Sequence, residues 1–415
     1  MVKTNKVNHK TYIQYLEENY GKTILPLSIF QNEYMPGSNP LELLFFWKRE
    51  SPLSEVKESF FKAVEHYNLF SSRLIMTGDN QFALQYCTDG IELNFLPQLD
   101  TSFDSIHIDD IKKMMVHVKT LPGEPLFALT VIPVIGGRFV GISCSDAVAD
   151  FVSLIVFCYA WKCIIEGNAF PLPSTQRLFT GQPTSSDKID KALIPPLTEL
   201  NAEIQSRVKS SNIKTYSKRE YFSDEFFDDV KHKARSENEK YIISNNQIIT
   251  AFLLKKYYDQ VLPDTDRIVL RNPVDLREVH PDIDPLYIGN AFFDNTTEFT
   301  KDEIHRMSIP QIAHRLKESV NHTRNENYIK AILYISTYGI ELKADILKKY
   351  SFYNVDMDIV SSNLIHLNDP QSLGLSSNLV NILYISASPT SFIMLKEKNG
   401  SMFAQITSRY PFILH

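Results

Sequence analysis

Cysteine is scarce in this 415-residue sequence, which has four cysteines, and no two of them show the spacing of a metal-ligand pair. Three of the four lie close together, in segments with the character of a buried strand or helix. We therefore interpret them as small apolar core residues in a reducing compartment, rather than as disulfides or a metal site. They are Cys87, Cys144, Cys158 and Cys163.

The sequence also lacks an apolar run long enough to cross a membrane. Its N-terminus is charged and has no apolar segment of the kind that a signal peptide needs. The most apolar stretch, 151–165, is interrupted by Lys162 and is too short to span a bilayer. We expect a cytoplasmic protein with no membrane partner; the alternative is a secreted protein whose export signal has an unusual form.

An excess of positive charge is missing as well, since the net charge is −6. No basic stripe with interleaved aromatic residues is present, which argues against a nucleic-acid partner. The sequence contains neither a P-loop nor a Gly-x-Gly-x-x-Gly fingerprint, and Gly136-Gly137 has the character of a hairpin turn. No permanently bound cofactor or metal ion is predicted.

The sequence is long enough, and apolar enough, to form two domains, because a single hydrophobic core seldom serves a chain of 415 residues. Residues 172–215 are rich in Pro, Ser, Thr, Gln and Lys, which predicts a crossover linker, partly helical over 197–208. The predicted domains are therefore 1–171 and 216–415, and the second repeats the order of elements of the first.

Apolar periodicity and turn residues predict the helices and strands. Helices are expected over 54–67, 147–166, 245–259 (with Ser244 as N-cap) and 308–321, and the second should be buried because it is apolar almost all round. Strands are expected over 71–76, 81–86, 125–134, 138–145, 267–273, 381–385, 391–395 and 403–407. The mixture of helices with hairpin-like strand pairs predicts an α+β fold with mixed sheets, rather than a doubly wound parallel sheet.

One segment carries a distinctive motif. Residues 136–167 (GGRFVGISCSDAVADFVSLIVFCYAWKCIIEG) resemble the strand, loop and helix that hold the His-x-x-x-Asp motif of the BAHD acyltransferase and condensation-domain superfamily. Other landmarks of that superfamily occur in the expected order, so the resemblance covers nearly the whole chain. They are 61–74 (FKAVEHYNLFSSRL), 125–127 (PLF), 245–254 (NNQIITAFLL), 271–277 (RNPVDLR) and 287–290 (YIGN).

The resemblance implies a fold and an activity. The fold is two chloramphenicol-acetyltransferase-like domains around a central tunnel. The activity is transfer of an acyl group from acyl-CoA, or from a carrier-protein thioester, to a hydroxyl or amine of a small metabolite. The acyl thioester is then a co-substrate rather than a resident cofactor, the role belongs to secondary metabolism, and the protein is expected to be a monomer.

The motif departs from the superfamily at its central position. Alignment on Ala149-Asp150 places Asp146 where the superfamily has its catalytic histidine, and Phe151 where a glycine is usual. A second signature, Asp-Phe-Gly-Trp-Gly, is absent from the corresponding region 368–374, which reads NDPQSLG.

Asp146 is nevertheless the predicted catalytic residue. In the superfamily the histidine takes a proton from the acceptor, which suits imidazole because its pKa of about 6.5 lies near working pH. A carboxyl group with an ordinary pKa of about 3.9 is a weaker base, although burial or a second nearby carboxylate would raise that pKa. Asp146 is predicted to act as an altered base, as a binding group for a cation, or as a proton donor.

The remaining site residues are predicted by the resemblance or by their neighbourhood in sequence. Asp150 is expected to form a structural ion pair with Arg277, and Phe151 to narrow or reshape the tunnel. Ser361, Ser362 and Asn363 are candidate donors to the oxyanion. Ser145 is a tunnel candidate but has no evident His–Asp partner for nucleophilic catalysis. His366 is a further tunnel candidate, and His366 and His280 are alternative bases.

Two alternatives to acyl transfer remain open at this point. The first is a non-catalytic protein that keeps the fold for binding, which a tunnel plugged by Phe151 would favour. The second is a different acid–base reaction run by Asp146 in the same tunnel. An open tunnel would favour an enzyme.

Overall fold

The computed structural model describes residues 24–26, 40–48, 52–78, 81–87, 89–174, 213–280, 283–324, 354–365, 379–386, 388–397 and 399–412. Within these ranges the strands form a small antiparallel sheet, β1-β4-β3, and two larger mixed sheets. The strands are β1 (Ile24–Pro26), β2 (Leu41–Trp47), β3 (Ser72–Gly78), β4 (Gln81–Tyr86), β5 (Ile91–Phe95), β6 (Phe127–Val134), β7 (Gly137–Cys144), β8 (Tyr216–Phe222), β9 (Arg267–Asp275), β10 (Phe292–Thr300), β11 (Asp358–Asn363), β12 (Leu379–Ser386), β13 (Ser391–Lys396) and β14 (Met402–Ser408).

Helices pack against both large sheets. They are α1 (Leu53–His66), α2 (Ile108–Met114), α3 (Phe151–Glu166), α4 (Asp224–Glu237), α5 (Asn245–Val261), α6 (Leu276–Val279), α7 (Lys301–Arg306) and α8 (Ile309–Thr323), with short 3-10 turns at Asn68–Ser71 and Phe103–Ser105. On the sheet that contains β2, α2 packs on the face opposite to α1 and α3. None of the described helices is long and apolar enough to cross a membrane.

The sheet of the first half has the strand order β12-β2-β7-β6-β5. Every residue of β2 and β7 is buried, because this part of the sheet is covered on both faces. β5 runs parallel to β6, and the other pairs are antiparallel. Its edge strand β12 comes from near the end of the chain and pairs with β2, so the two halves of the sequence share one sheet.

The sheet of the second half has the order β10-β9-β11-β13-β14-β8. β11 lies parallel to both of its neighbours, β9 and β13, whereas the outer pairs are antiparallel. Apolar residues of α5 and α8 cover one face of this sheet and form the second core. The α+β fold with mixed sheets that the sequence predicts is confirmed.

Aromatic side chains fill the core between α1, α3 and the first sheet. Phe60 of α1 is fully buried and meets two rings of α3 edge to face, Trp161 at 5.3 Å and Phe157 at 5.8 Å between centroids. The indole nitrogen of Trp161 donates a hydrogen bond to Ser59 Oγ at 3.1 Å, so burial of the ring leaves no unsatisfied donor on it. This core fixes α3, and with it the segment that precedes the helix.

The predicted start of the buried helix is wrong by four residues. The sequence predicts a start at Ala147, but α3 begins at Phe151, since Asp150 is extended (φ −82°, ψ 176°) and caps the helix through its side chain. Residues 147–149 are fully buried in a turn, which is why their apolar character continues the helical pattern. The predicted N-cap at Ser244 is confirmed, and it forms a capping box with Gln247.

Three sequence predictions lie outside the described residues: the base candidate His366, the helical part of the linker at 197–208, and the diverged signature at 368–374.

Candidate active site

The loop of residues 145–150 joins β7 to α3 and carries the central motif. Its first residue, Ser145, donates its backbone N–H to Leu126 O at 2.8 Å and accepts the backbone N–H of Val148 at 3.0 Å. The Ser145 hydroxyl is hydrogen-bonded to Thr120 Oγ1 at 2.9 Å and accepts from the Ala147 N–H at 3.2 Å. The side chain of Ser145 therefore stabilises the turn, and Ser145 does not belong to the cavity wall described below.

Asp150 and Arg277 form a bidentate ion pair at the end of this loop. Arg277 Nη1 lies 2.9 Å from Asp150 Oδ2, and Nη2 lies 3.1 Å from Oδ1. Both side chains are almost completely buried. The same carboxylate accepts the N–H of Ser153 at 2.9 Å and that of Ala291 at 2.9 Å. Asp150 thus joins the start of α3 to the second half of the chain and leaves its oxygens fully engaged.

Arg277 also donates hydrogen bonds to acceptors other than Asp150. Its guanidinium donates to Asp275 Oδ1 at 3.0 Å and to the carbonyl of Tyr287 at 3.0 Å. Burial by itself would lower the pKa of Arg277, but the carboxylates of Asp150 and Asp275 outweigh burial and hold it above the usual value. The pKa of Asp275 is raised, because burial exceeds the opposing effect of Arg277. The arginine is therefore a permanent positive charge at the domain interface.

Asp146 lies at the turn of the loop and has only 7% of its surface exposed. Asn290, in the loop before β10, donates a hydrogen bond from Nδ2 to the backbone carbonyl of Asp146 at 3.0 Å. Asn290 is itself buried. The backbone that presents Asp146 is therefore held from across the interface by a residue of the second half.

A cavity of about 1020 Å³ lies between this loop and the second half of the chain. Its wall includes Asp146, Asp150 and Phe151 from the first half, and residues of α5, β9, β11 and α8 from the second. The volume is at the upper end of the range for small-molecule sites. Phe151 forms part of the wall and does not fill the cavity.

The structure places the other predicted residues as follows. Ser361, Ser362 and Asn363 of β11 line the same cavity as Asp146. The hydroxyl of Ser361 is hydrogen-bonded to Thr250 Oγ1 at 3.1 Å, and Asn363 Oδ1 accepts the Ile365 N–H at 3.2 Å. His280 caps α6 through its backbone N–H, which donates to Leu276 O at 2.9 Å, and it is not part of the wall.

Two features of the site were not predicted from the sequence. One is the hydrogen bond from Asn290 to the Asp146 carbonyl, and the only signal for it was the presence of Asn290 in the YIGN landmark. The other is a second buried ion pair, in which Arg271 Nε lies 2.5 Å from Asp358 Oδ2 and Arg271 Nη1 lies 3.7 Å from Asp294 of the cavity wall. Arg271 and Asp358 come from adjacent strands, β9 and β11, whose pairing the sequence did not predict.

Within the described residues, no group of three histidine, cysteine, aspartate or glutamate side chains is arranged to hold a metal ion. All four cysteines are free thiols. The chemistry that the arrangement offers is therefore that of a buried carboxylate beside a spacious cavity, with serine and asparagine side chains in the same wall.

Comparison with known proteins gives one family and a set of similar structures. The sequence model of the Transferase family matches residues 8–369. F. sporotrichioides TRI101, complexed with coenzyme A and T-2, is similar with a TM-score of 0.68 and 14% identity, over 93% of this chain and 95% of that chain. Vinorine synthase gives a TM-score of 0.62 and 14% identity, over 93% of this chain and 92% of that chain.

The condensation domain from the Monacolin K polyketide synthase MokA gives a TM-score of 0.55 and 9% identity, over 94% of this chain and 93% of that chain. At these identities the likeness shows the fold. A search of curated protein sequences finds no significant match.

Proposed function

This chain belongs to the Transferase family, and we propose that it moves an acyl group from acyl-CoA to a hydroxyl or amine of a small metabolite. The observation that carries the proposal is the position of Asp146. Asp146 is buried and lines a cavity of about 1020 Å³, and it occupies the position at which the BAHD superfamily has its catalytic base. The proposed role of Asp146 is that of general base.

The proposed donor is a thioester. TRI101 and vinorine synthase share the fold, and TRI101 was crystallised with coenzyme A, which supports acyl-CoA as the co-substrate here. A carrier-protein thioester is the variant of the proposal that the condensation-domain likeness supports. The acceptor would be a small molecule, since a cavity of this volume encloses a ligand of drug-like size.

In the proposed reaction Asp146 takes the acceptor proton as the acceptor attacks the thioester carbonyl carbon. Ser361, Ser362 and Asn363 are proposed as donors to the oxyanion, because all three share the cavity wall with Asp146. Asp150 and Arg277 are proposed as positioning residues only, because their polar atoms are engaged with each other and with nearby backbone groups.

The proposed setting is the cytoplasm and the proposed state is a monomer. Four free thiols support a reducing compartment. Fractionation of the source cells and size-exclusion chromatography of the pure protein test these two points.

Acyl-CoA turnover tests the proposed function. The protein is incubated with acetyl-CoA or longer acyl-CoAs and a pool of alcohol and amine acceptors, and products are measured by mass spectrometry. Wild type should form acylated products, and Asp146→Ala should lose about 10²- to 10⁴-fold in rate, the usual contribution of a general base. Asp302→Asn, which removes an exposed carboxylate of α7 outside the cavity wall, should behave as wild type.

Equal turnover by wild type and Asp146→Ala would remove Asp146 from the mechanism. If wild type shows no acyl transfer and Asp146→His does, the fold is intact and the natural protein lacks this activity because of Asp146. Silence from all variants would favour ligand binding or different acid–base chemistry in the cavity.

A further inference from the structure

We propose that the acceptor is an amine that enters the cavity as an ammonium ion and lies against the Asp146 carboxylate. The inference rests on the proposed function, because it names the acceptor for the same acyl transfer. Its starting point is geometric: Asp146 is part of the cavity wall and is held there through its backbone carbonyl by Asn290.

The charge of the wall favours a cation. Acidic side chains outnumber basic ones among the residues that line the cavity, five to two: Asp146, Asp150, Asp275, Glu278 and Asp294, against Lys317 and Arg324. Arg277 and Arg271 lie behind the wall and compensate several of these carboxylates. When Arg271 and Arg277 are counted together with Asp358, the buried partner of Arg271, six acidic groups stand against four basic groups, and this excess favours a cation.

The rest of the wall is suited to an apolar body. Large apolar side chains line the cavity from both halves of the chain: Phe151, Val152, Phe292, Leu316 and Val320. An aliphatic or aromatic amine places its hydrocarbon part against these side chains and its ammonium group at Asp146. A polyanionic acceptor would meet the excess carboxylates instead.

A carboxylate base also suits an amine better than an alcohol. The hydroxyl proton of an alcohol is about as acidic as that of water, whose pKa is ~15.7, so a carboxylate gives little help before attack. An alkylammonium has a pKa of about 10.4 in water and a carboxyl about 3.9. Loss of hydration in a cavity lowers the pKa of an ammonium group and raises that of a carboxyl group. The two pKa values therefore move closer together, and transfer of a proton from the ammonium to the carboxylate becomes less unfavourable.

The protons can then be followed through the reaction. The ammonium gives one proton to Asp146, and the neutral nitrogen attacks the thioester carbonyl carbon, so that a C–N bond forms and the carbonyl π electrons move to oxygen. The C–S bond breaks as the carbonyl re-forms, and the departing sulfur takes the proton from Asp146. The nitrogen, now strongly acidic, passes its second proton through Asp146 to solvent. The products are an amide and a free thiol.

Binding of a charged and an uncharged isostere tests the ammonium site without requiring turnover. The probes are phenethyltrimethylammonium and its carbon isostere 3,3-dimethylbutylbenzene, with calorimetry or fluorescence as the readout. Wild type should bind the cation at least tenfold more tightly than the neutral compound, and Asp146→Asn should abolish that preference. Asp302→Asn, with its substitution outside the wall, should keep it. A wild type with no preference, or a preference that survives in Asp146→Asn, would overturn the proposal.

Turnover separates this inference from the proposed function. With acetyl-CoA as donor, phenethylamine should be acylated at least tenfold faster than 2-phenylethanol by wild type. Ester formation at an equal or greater rate would refute the amine inference and leave the acyltransferase intact. An Asp146-dependent cation preference without any acylation would leave the ammonium site standing and count against acyl transfer.

Discussion

Asn290 holds the backbone carbonyl of Asp146 at 3.0 Å, although the two residues lie in different halves of the sequence. The carbonyl is buried, so the hydrogen bond is not readily replaced by water. The contact makes the position of the central carboxylate depend on the second half of the chain as well as on β7 and α3.

Replacing Asn290 by Ala should therefore weaken catalysis without removing a reacting group. The buried carbonyl loses one donor, which costs about 1–3 kcal/mol, and the loop that presents Asp146 becomes less well held. We expect kcat to fall about tenfold while KM for acyl-CoA stays the same. Steady-state kinetics check this, and Asn290→Gln, which keeps an amide donor, should recover part of kcat. A change in KM alone would contradict the positioning role.

Breaking the ion pair of Asp150 and Arg277 should destabilise the fold strongly. Removing one partner leaves the other charge buried, which typically costs about 3–5 kcal/mol. Asp150→Ala and Arg277→Ala should each lower the free energy of unfolding by that amount in denaturant titrations. The double variant should be less destabilised than the sum of the two, because the pair is lost only once. Strict additivity would show that the contact is not energetically coupled.

Phe151 should limit the size of the acceptor. Its ring forms part of the cavity wall at a position where the BAHD resemblance has glycine. Phe151→Ala enlarges the cavity, so we expect the ratio of bulky to small acylated products to rise about tenfold in a competition between two acceptors. Phe61→Ala is a suitable control, because Phe61 is exposed on α1 and lies outside the wall. An unchanged product ratio would place the size limit elsewhere in the cavity.

His117 and the buried Glu42 of β2 form a hydrogen bond on the face of the first sheet that is opposite to α1 and α3. This pair should make the free energy of unfolding depend on pH. The pKa of His117 is raised, first by this hydrogen bond, against the opposing effect of burial. Because the folded pKa exceeds the unfolded value of about 6.5, the contribution is complete below pH 6.5 and is lost as pH rises through the folded pKa.

Wild type should accordingly lose unfolding free energy as the pH rises above about 6.5, and His117→Gln should lack this component. Thermal or urea unfolding between pH 5 and 9 measures the difference between the two proteins. His305→Gln, which replaces an exposed histidine of α7, should keep the wild-type profile. A His117→Gln curve parallel to that of wild type would mean that the pair contributes nothing.

The sequence predicted those parts of the molecule that depend on local pattern. The turn residues before 81–86 predicted the bounds of β4 without error, and helical apolar spacing with the Ser244 N-cap predicted α5 to within a few residues. The start of α3 was wrong because Ala147, Val148 and Ala149 are buried in a turn, and burial alone does not distinguish a turn from a helix.

The site was predictable only as far as the resemblance reached. It indicated the contact of Asp150 with Arg277, which the structure contains. It gave no reason to connect Asn290 with the Asp146 carbonyl. Ser145 was a tunnel candidate because it flanks the motif, but its hydroxyl is hydrogen-bonded to Thr120. Such contacts depend on how two distant segments dock, and no periodicity in the sequence encodes the direction of one side chain.

The edge strand of the first sheet has a consequence for how the protein is made. Leu43 of β2 pairs with Ile385 of β12, so during synthesis the ribosome must release β12, more than 300 residues after β2, before this pairing can form. Until then β2 presents an unsatisfied edge, and its sequence, LELLFFW, is of the kind that joins other chains. A gene split within the predicted linker, 172–215, should therefore yield an N-terminal fragment that aggregates through the unpaired edge of β2. Co-expression of the two fragments should restore its solubility, because β12 can then pair with that edge.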